Sequence, residues 1–188
     1  MRPAAARVPL AMARFTLHAV APNRPDVVAA VTQSLADIGC NLEDSRISLL
    51  HGQLSIVLAL EAPGISDGTA VEEALTPLLE ELALQLFVRP IPDGGDDLDL
   101  GNLVEISVRG ADRPGTVARV ARAVAAAGGN IVDLVGQVVA QDTASPSRLE
   151  ITAALAPQAV PRLRAALEDV ATDLGVTWDV RERSGRET

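Results

Sequence analysis

Residues 14–20 (RFTLHAV) alternate apolar and polar side chains, and residues 103–109 (LVEISVR) do the same, the period of two expected of strands buried on one face. After each strand a proline-containing turn leads into apolar residues spaced by three and four. They are Val28, Val31, Leu35 and Ile38 in the first case, and Val117, Val120, Val124 and Ala127 in the second, which predicts two amphipathic helices. Both helices reach a glycine, Gly39 or Gly128, suited to the left-handed conformation that closes a helix. Two strands follow in each case: about 42–50 and 53–61 across His51-Gly52, then 131–140 and 147–155 across the longer polar segment QDTASPS. Second helices are predicted over 68–83 and 158–174, from Val71, Leu75, Leu78, Leu82 and from Val160, Leu163, Leu167, Val170, Leu174. Pro77 should kink or shorten the earlier one, because it lacks an N–H and crowds the preceding turn. Final strands fall at 84–91 and 176–182.

The two halves are the same pattern written twice. Residues 15–44 align without a gap on 104–133 at the constant offset between Arg24 and Arg113. Identical pairs include Arg24/Arg113, Pro25/Pro114, Val31/Val120, Gly39/Gly128 and Asn41/Asn130. A repeat of this length marks one structural unit present in tandem. The expected architecture is α+β, with two βαββαβ units at 14–91 and 103–183, each a four-stranded antiparallel sheet with two helices on one face. Residues 92–102 read as an acidic, Gly-rich linker; Asp93, Asp96, Asp97 and Asp99 lack the alternating ligand spacing and distal Glu of a calcium loop. Residues 1–13 read as a disordered tail or a start assigned too early, with Met12 just ahead of the first strand, and 184–188 as a second tail.

Charge and composition then narrow the function. With 16 Lys and Arg against 25 Asp and Glu, a net charge of −9, direct binding to nucleic acid or to an anionic membrane is not expected, since either needs clustered cations. Two Phe, one Trp and no Tyr leave no stacking platform for single strands. One cysteine, Cys40, excludes an internal disulfide and, with no Cys/His cluster, a structural zinc; a reducing cytoplasm fits. No apolar run has the roughly 18–20 residues of a membrane-spanning helix. No cofactor or metal is expected, and no paired acid and base, activated nucleophile or phosphate loop argues for an enzyme.

The strand-helix-strand-strand-helix-strand order, with G-A-D-R-P-G at Gly110–Gly115 and G-G-N-I at Gly128–Ile131, resembles the ACT domain, a ferredoxin-like regulatory module that binds small molecules, typically amino acids. The string G-C-N-L-E-D-S-R at Gly39–Arg46, in a protein made of two such domains, is similar to the glycine cleavage system transcriptional repressor family. That resemblance implies a regulatory protein with no DNA-reading module of its own, acting on transcription through a protein partner and responding to glycine or a related metabolite.

The residues themselves suggest how a ligand is held. A helix's first turn offers unpaired N–H groups and the positive end of its dipole, which attract a carboxylate. In the second unit Gly110, Ala111, Asp112, Arg113, Pro114 and Gly115 form the turn into that helix. Gly115 would let a ligand approach the backbone, Asp112 could cap the turn or accept an ammonium, and Pro114 fixes its shape. Asn130 and Ile131 open the next strand, where the Asn130 carboxamide could serve an amino acid's polar end. Each also has a plain structural reading as turn, cap or post-glycine residue. In the first unit Asn23, Arg24, Asp26, Asn41 and Leu42 hold the matching places. Asp26 stands where Gly115 stands and Asn23 where Asp112 stands, so a carboxylate already faces the helix terminus and would repel a ligand's. The second unit is therefore expected to hold the better site and the first to be degenerate or structural.

The expected sites lie where the β1–α1 turn of one unit meets the other. Partners are a small amino acid, a transcription factor or enzyme, and a second copy of the chain as a candidate homodimer. A detached regulatory subunit of an amino-acid metabolic enzyme, or a ligand-free interaction module, are the competing readings. His18, His51, Cys40 and Trp178 read as structural or solvated. Glu43-Asp44-Ser45-Arg46 reads as a charged strand whose alternation sends Glu43 and Ser45 to one face and Asp44 and Arg46 to the other.

Overall fold

The computed structural model describes residues 12–92, 101–138 and 146–183. The rest of the N-terminal segment, the acidic run 93–100 with its four aspartates, most of the QDTASPS segment and residues 184–188 lie outside the described residues. The chain forms two compact units.

The first unit runs β1 (Met12–Pro22), α1 (Val27–Asp37), β2 (Asn41–Leu50), β3 (Gln53–Pro63), α2 (Thr69–Glu81) and β4 (Gln85–Pro90). Its sheet has the order β2-β3-β1-β4, and every neighbouring pair is antiparallel. The second runs β5 (Leu103–Ala111), α3 (Thr116–Ala126), β6 (Asn130–Val138), β7 (Pro146–Ala154), α4 (Val160–Leu174) and β8 (Thr177–Arg183), with the equivalent order β6-β7-β5-β8. A 3-10 turn, Pro157–Ala159, leads into α4. These are two ferredoxin-like βαββαβ units. Strand β1 begins at Met12, two residues before the expected start, because its ladder with β3 continues to Met12 opposite Pro63.

Alternation is what puts the cores on one face of each sheet. Phe15, Leu17, Ala19 and Ala21 of β1, with Leu54, Ile56, Leu58 and Leu60 of β3, point under the helices. Val27, Val31 and Leu35 of α1 and Val71 and Leu75 of α2 meet them. The second unit buries Val104, Ile106 and Val108 against Val120, Val124, Leu163 and Leu167. Val31 and Leu35 of α1 are fully buried as the periodicity predicts, but in the first turn Val27 is fully buried and Val28 only half-buried. Its counterpart Val117 is 47 % exposed, and the buried first-turn residue of α3 is Thr116.

Both first helices close in the same way. The Gly39 and Cys40 N–H groups donate to the Ala36 and Leu35 carbonyls, and Gly128 and Gly129 donate to Ala125 and Val124. This is the paired bonding of a Schellman cap, with φ +81° and +85° at the two glycines. Helix α2 passes through Pro77 and ends one turn later at Glu81, at 13 residues against 15 for α4.

The Glu43–Arg46 reading needs correction. Leu42 pairs with Leu60 but Asp44 pairs with Ala59, so Glu43 is an extra residue in a bulge and strict alternation fails there. The second unit repeats it, with Val132 extra between Ile131 and Asp133. Glu43 forms an ion pair with Arg14 at 2.7 Å.

Candidate functional site

The turn between β5 and α3 carries an open helix terminus. Gly115 is the N-cap residue, with φ +90° and ψ −3°, a left-handed conformation that strains any residue bearing a Cβ. It has no side chain to cap the helix. The Thr116 N–H and hydroxyl both donate to the Arg113 carbonyl, at 3.2 and 3.0 Å, and this tightens the turn. The Arg119 N–H bonds back to the Gly115 carbonyl. Between them, the N–H groups of Val117 and Ala118 are first-turn donors of the kind a helix leaves for an outside acceptor.

A cleft of about 520 Å3 opens at this terminus. On one side it is lined by Asp112, Arg113, Gly115, Thr116, Val117 and Ala118. On the other it is lined by Gly136 and Gln137 of β6 and Ser147, Arg148 and Leu149 of β7. Among the described residues the side chains of Asp112, Arg113 and Gln137 have no hydrogen-bond or ion-pair partner. The Ser147 hydroxyl donates to the Gly110 carbonyl at 3.2 Å, and Arg148 pairs through Nε with Glu150. Glu150 is buried enough to raise its pKa, but the bonds from Arg148 and from the Ser107 hydroxyl outweigh that and leave it below the usual glutamate range.

The first unit serves as an internal control. At its equivalent turn Asp26 is the N-cap residue in an ordinary right-handed conformation, and its carboxylate does not cap the helix. Arg24 holds it instead, Nε to Oδ1 at 3.2 Å and Nη2 to Oδ2 at 2.5 Å, and also donates from Nη1 to the Glu81 carbonyl at the end of α2. The Arg24 hydrogen bonds hold the Asp26 carboxyl below its usual range, although partial desolvation acts the other way. The repeat register places Ile47 opposite Ile56 where Gly136 faces Leu149. In the same register Leu54, opposite Ala21, matches Ser147, opposite Gly110, and Val27 matches Thr116. At the cleft Ile47, Leu54 and Asp26 of the first unit are thus replaced in the second by Gly136, Ser147 and Gly115.

Of the residues expected from sequence, Asp112, Arg113 and Gly115 come together at the cleft, and Pro114 shapes the turn without lining it. Ala111 ends β5 opposite Pro146. Gly110 has a packing role: a Cβ there would lie 2.6 Å from Val176 Cγ1 and 3.1 Å from its Cα. Asn130 and Ile131 are not brought to the turn within their unit. Asn130 pairs with Ala154 while Ala111 pairs with Pro146, eight residues or about 26 Å apart along β7. Asn41 and Leu42 likewise pair with Glu61 and Leu60, far from Pro22 opposite Gln53, Asn23, Arg24 and Asp26. The cause is topological: β1 and β2 both run antiparallel to β3, so α1 returns the chain to the sheet end from which β1 started. Gly136, Gln137, Ser147 and Arg148 were missed; the Ile47/Gly136 mismatch was the available signal, but it lies just beyond the 15–44 segment that aligned by identity.

The ACT domain family model matches residues 15–89 and 102–181. The chain belongs to the ACT domain family. Among solved structures similar to this tandem ACT protein, one from Galdieria sulphuraria is 23 % identical, with a TM-score of 0.80 over 92 % of this chain and 99 % of its own. Another, described as a proposed glycine cleavage system transcriptional repressor, is 19 % identical, with a TM-score of 0.68 over 93 % and 99 % of the two chains. At these identities the likeness shows the shared fold. No curated protein matches the chain. Among the described residues of the two ACT units no helix is long and apolar enough to cross a membrane, and no group of three or more His, Cys, Asp or Glu side chains is arranged to hold a metal ion.

Other residues singled out by sequence fall into structural roles. His18 stacks on Phe87 with ring centroids 4.6 Å apart, on the sheet face away from the helices. His51 occupies the β2–β3 turn at φ +47°. Trp178 packs against the second core and donates to Glu168 at 3.1 Å. Cys40 is buried, and desolvation pushes its thiol pKa up, the opposite of an activated nucleophile.

Proposed function

We propose that this protein is a non-catalytic amino-acid sensor whose ligand site is the β5–α3 turn of the second ACT unit, and that it acts through a protein partner. The observation carrying this reading is the cleft at the α3 N-terminus, which the first unit lacks the small residues to form. A ligand carboxylate would lie against the Val117 and Ala118 N–H groups and the helix dipole, with Arg113 as its counter-charge. Asp112, exposed and unpaired among the described residues, would receive the ammonium. The first ACT unit carries its own carboxylate, Asp26, at that position and is a structural partner rather than a second sensor.

Binding would favour one arrangement of the protein that a partner reads, because a ligand shifts an equilibrium only by its differential affinity for the two states. The family resemblance and the repressor-like relative make glycine metabolism the first context to test, with a transcription factor as the partner. Calorimetric titration with glycine, serine and the remaining amino acids tests the sensor. Binding by the native protein that Gly115→Asp abolishes supports it, and no binding to any amino acid refutes it. Co-purification separates a transcription factor from a metabolic enzyme as partner.

A further inference from the structure

We propose that the open face of the first unit's sheet, the side away from its helices, pairs with the same face of a second copy of the chain to make a closed two-fold dimer. The pairing does not depend on the ligand site.

The two units differ sharply on this face. The repeat register matches Val57, Phe87, Val20, Ser55 and Thr16 of the first sheet with Glu150, Asp179, Arg109, Arg148 and Glu105 of the second. Five uncharged side chains thus stand where the second unit has five charges. In the second unit Arg148 pairs with Glu150, which also accepts from the Ser107 hydroxyl at 2.8 Å, and Asp179 pairs with Arg181 at 2.7 Å. Covering that face would strip water from exposed ion pairs, and the desolvation outweighs what their attraction returns. The first face carries no such cost. Val20 is 43 % exposed and Phe87 48 % exposed, and His18 stacks on Phe87 while the Arg89 guanidinium lies over the Phe87 ring, 5.5 Å from its centroid. Stacked rings are already ordered, so burying them loses little side-chain freedom.

Area and shape fit a second copy as the occupant. Strands of 11, 10, 11 and 6 residues, at about 3.4 Å per residue and about 4.8 Å apart, spread over about 600 Å2. Two such faces bury about 1,200 Å2, the lower limit of a specific interface, which suits a reversible dimer. A two-fold interface must be its own complement. This face carries a hollow of about 380 Å3 beside His18, Val57 and Phe87, and also the projecting Leu50, 67 % exposed at the end of β2. A two-fold axis between them sets each copy's leucine toward the other's hollow. Two chains of net charge −9 repel, but the outward positions of β3, β1 and β4 from Val20 to Thr16 hold no acid. Because the second unit's face is charged, each chain has one such patch, and assembly closes at two.

Sedimentation equilibrium of the full chain from about 1 to 100 µM tests the dimer. It is repeated on Val57→Glu and Phe87→Asp, which write into the first face residues that the same fold accommodates in the second unit. The native chain should follow a monomer–dimer equilibrium with a micromolar Kd. Both variants should weaken it about a hundredfold or more, because the two-fold contact buries each new charge twice without a partner. Arg109→Ala, on the second unit's face, should leave it unchanged. Thermal melting by circular dichroism checks that the variants fold, and Val20→Arg, at an exposed position, supplies the same readout if either does not. A native chain that stays monomeric throughout overturns the proposal and leaves the face to a different protein. A dimer that the charge variants leave intact, one that Arg109→Ala also dissociates, or growth beyond two copies overturns it by placing the contact elsewhere.

Discussion

Replacing Gly115 with Asp writes the first unit's turn into the second, and the structure allows strain and charge to be worked out separately. A Cβ at Gly115 meets no atom within 4 Å, so the Cβ itself introduces no clash. What remains is the conformation: at φ +90° a residue other than glycine costs about 1–2 kcal/mol, somewhat less for Asp or Asn, which tolerate this region through local hydrogen bonds. For a unit of this size that is a fall in melting temperature of roughly 4–8 °C per kcal/mol. The charge acts on binding. Two carboxylates about 4 Å apart repel by about 1 kcal/mol in bulk water and about 4 kcal/mol near a protein surface, an affinity loss of about fivefold to nearly a thousandfold. Gly115→Asn carries the same backbone strain and nearly the same shape without the charge. Thermal denaturation should therefore show similar losses for both variants, while calorimetry should show the amino acid binding at least fivefold more weakly to Gly115→Asp than to Gly115→Asn. Equal affinities in the two variants would refute the assignment of the ligand carboxylate to this helix terminus.

Other outcomes follow from the same geometry. Gly110→Ala should destabilise the second unit by about 1–3 kcal/mol in urea unfolding, since the new Cβ meets the Val176 backbone as well as its side chain; an unchanged midpoint would contradict that packing role. Asp26 has its pKa lowered in the fold, so its contribution to stability is present above the ordinary value of 3.8 and is lost as pH falls through the lower folded value. Arg24→Gln should therefore flatten the melting-temperature profile below about pH 4 and shift the Asp26 titration, followed by NMR, upward. Leu17→Ala, at a fully buried position, should cost about 2–5 kcal/mol, and a loss below 1 kcal/mol would place Leu17 outside the first core. Cys40, buried and with its pKa raised, should react with a thiol reagent at pH 8 only on unfolding; rapid labelling of the native protein would show an open path to it.

The hydrophobic pattern by itself determined the order of elements, the tandem repeat and the faces that become cores, because periods of two and of three to four record which side of a strand or helix leaves water. Leu17, Leu35, Leu58 and Leu163 are all buried where that pattern requires. It also determined the contrast between Gly115 and Asp26, since a helix terminus is a local feature and the residue that opens or blocks it lies in the same turn. Pairing decided the rest. The bulges at Glu43 and Val132 shift the faces of β2 and β6 through a register that only the neighbouring strand defines. Asn130 was separated from the turn because α3 returns the chain to the opposite end of the sheet. Gly136, Gln137 and Ser147 reached the cleft across a hairpin more than twenty residues further along the chain from Gly115. Spacing along a sequence registers neighbours within a helix turn or a strand; residues that meet across a sheet are brought together by hydrogen-bond register, which the linear pattern does not carry.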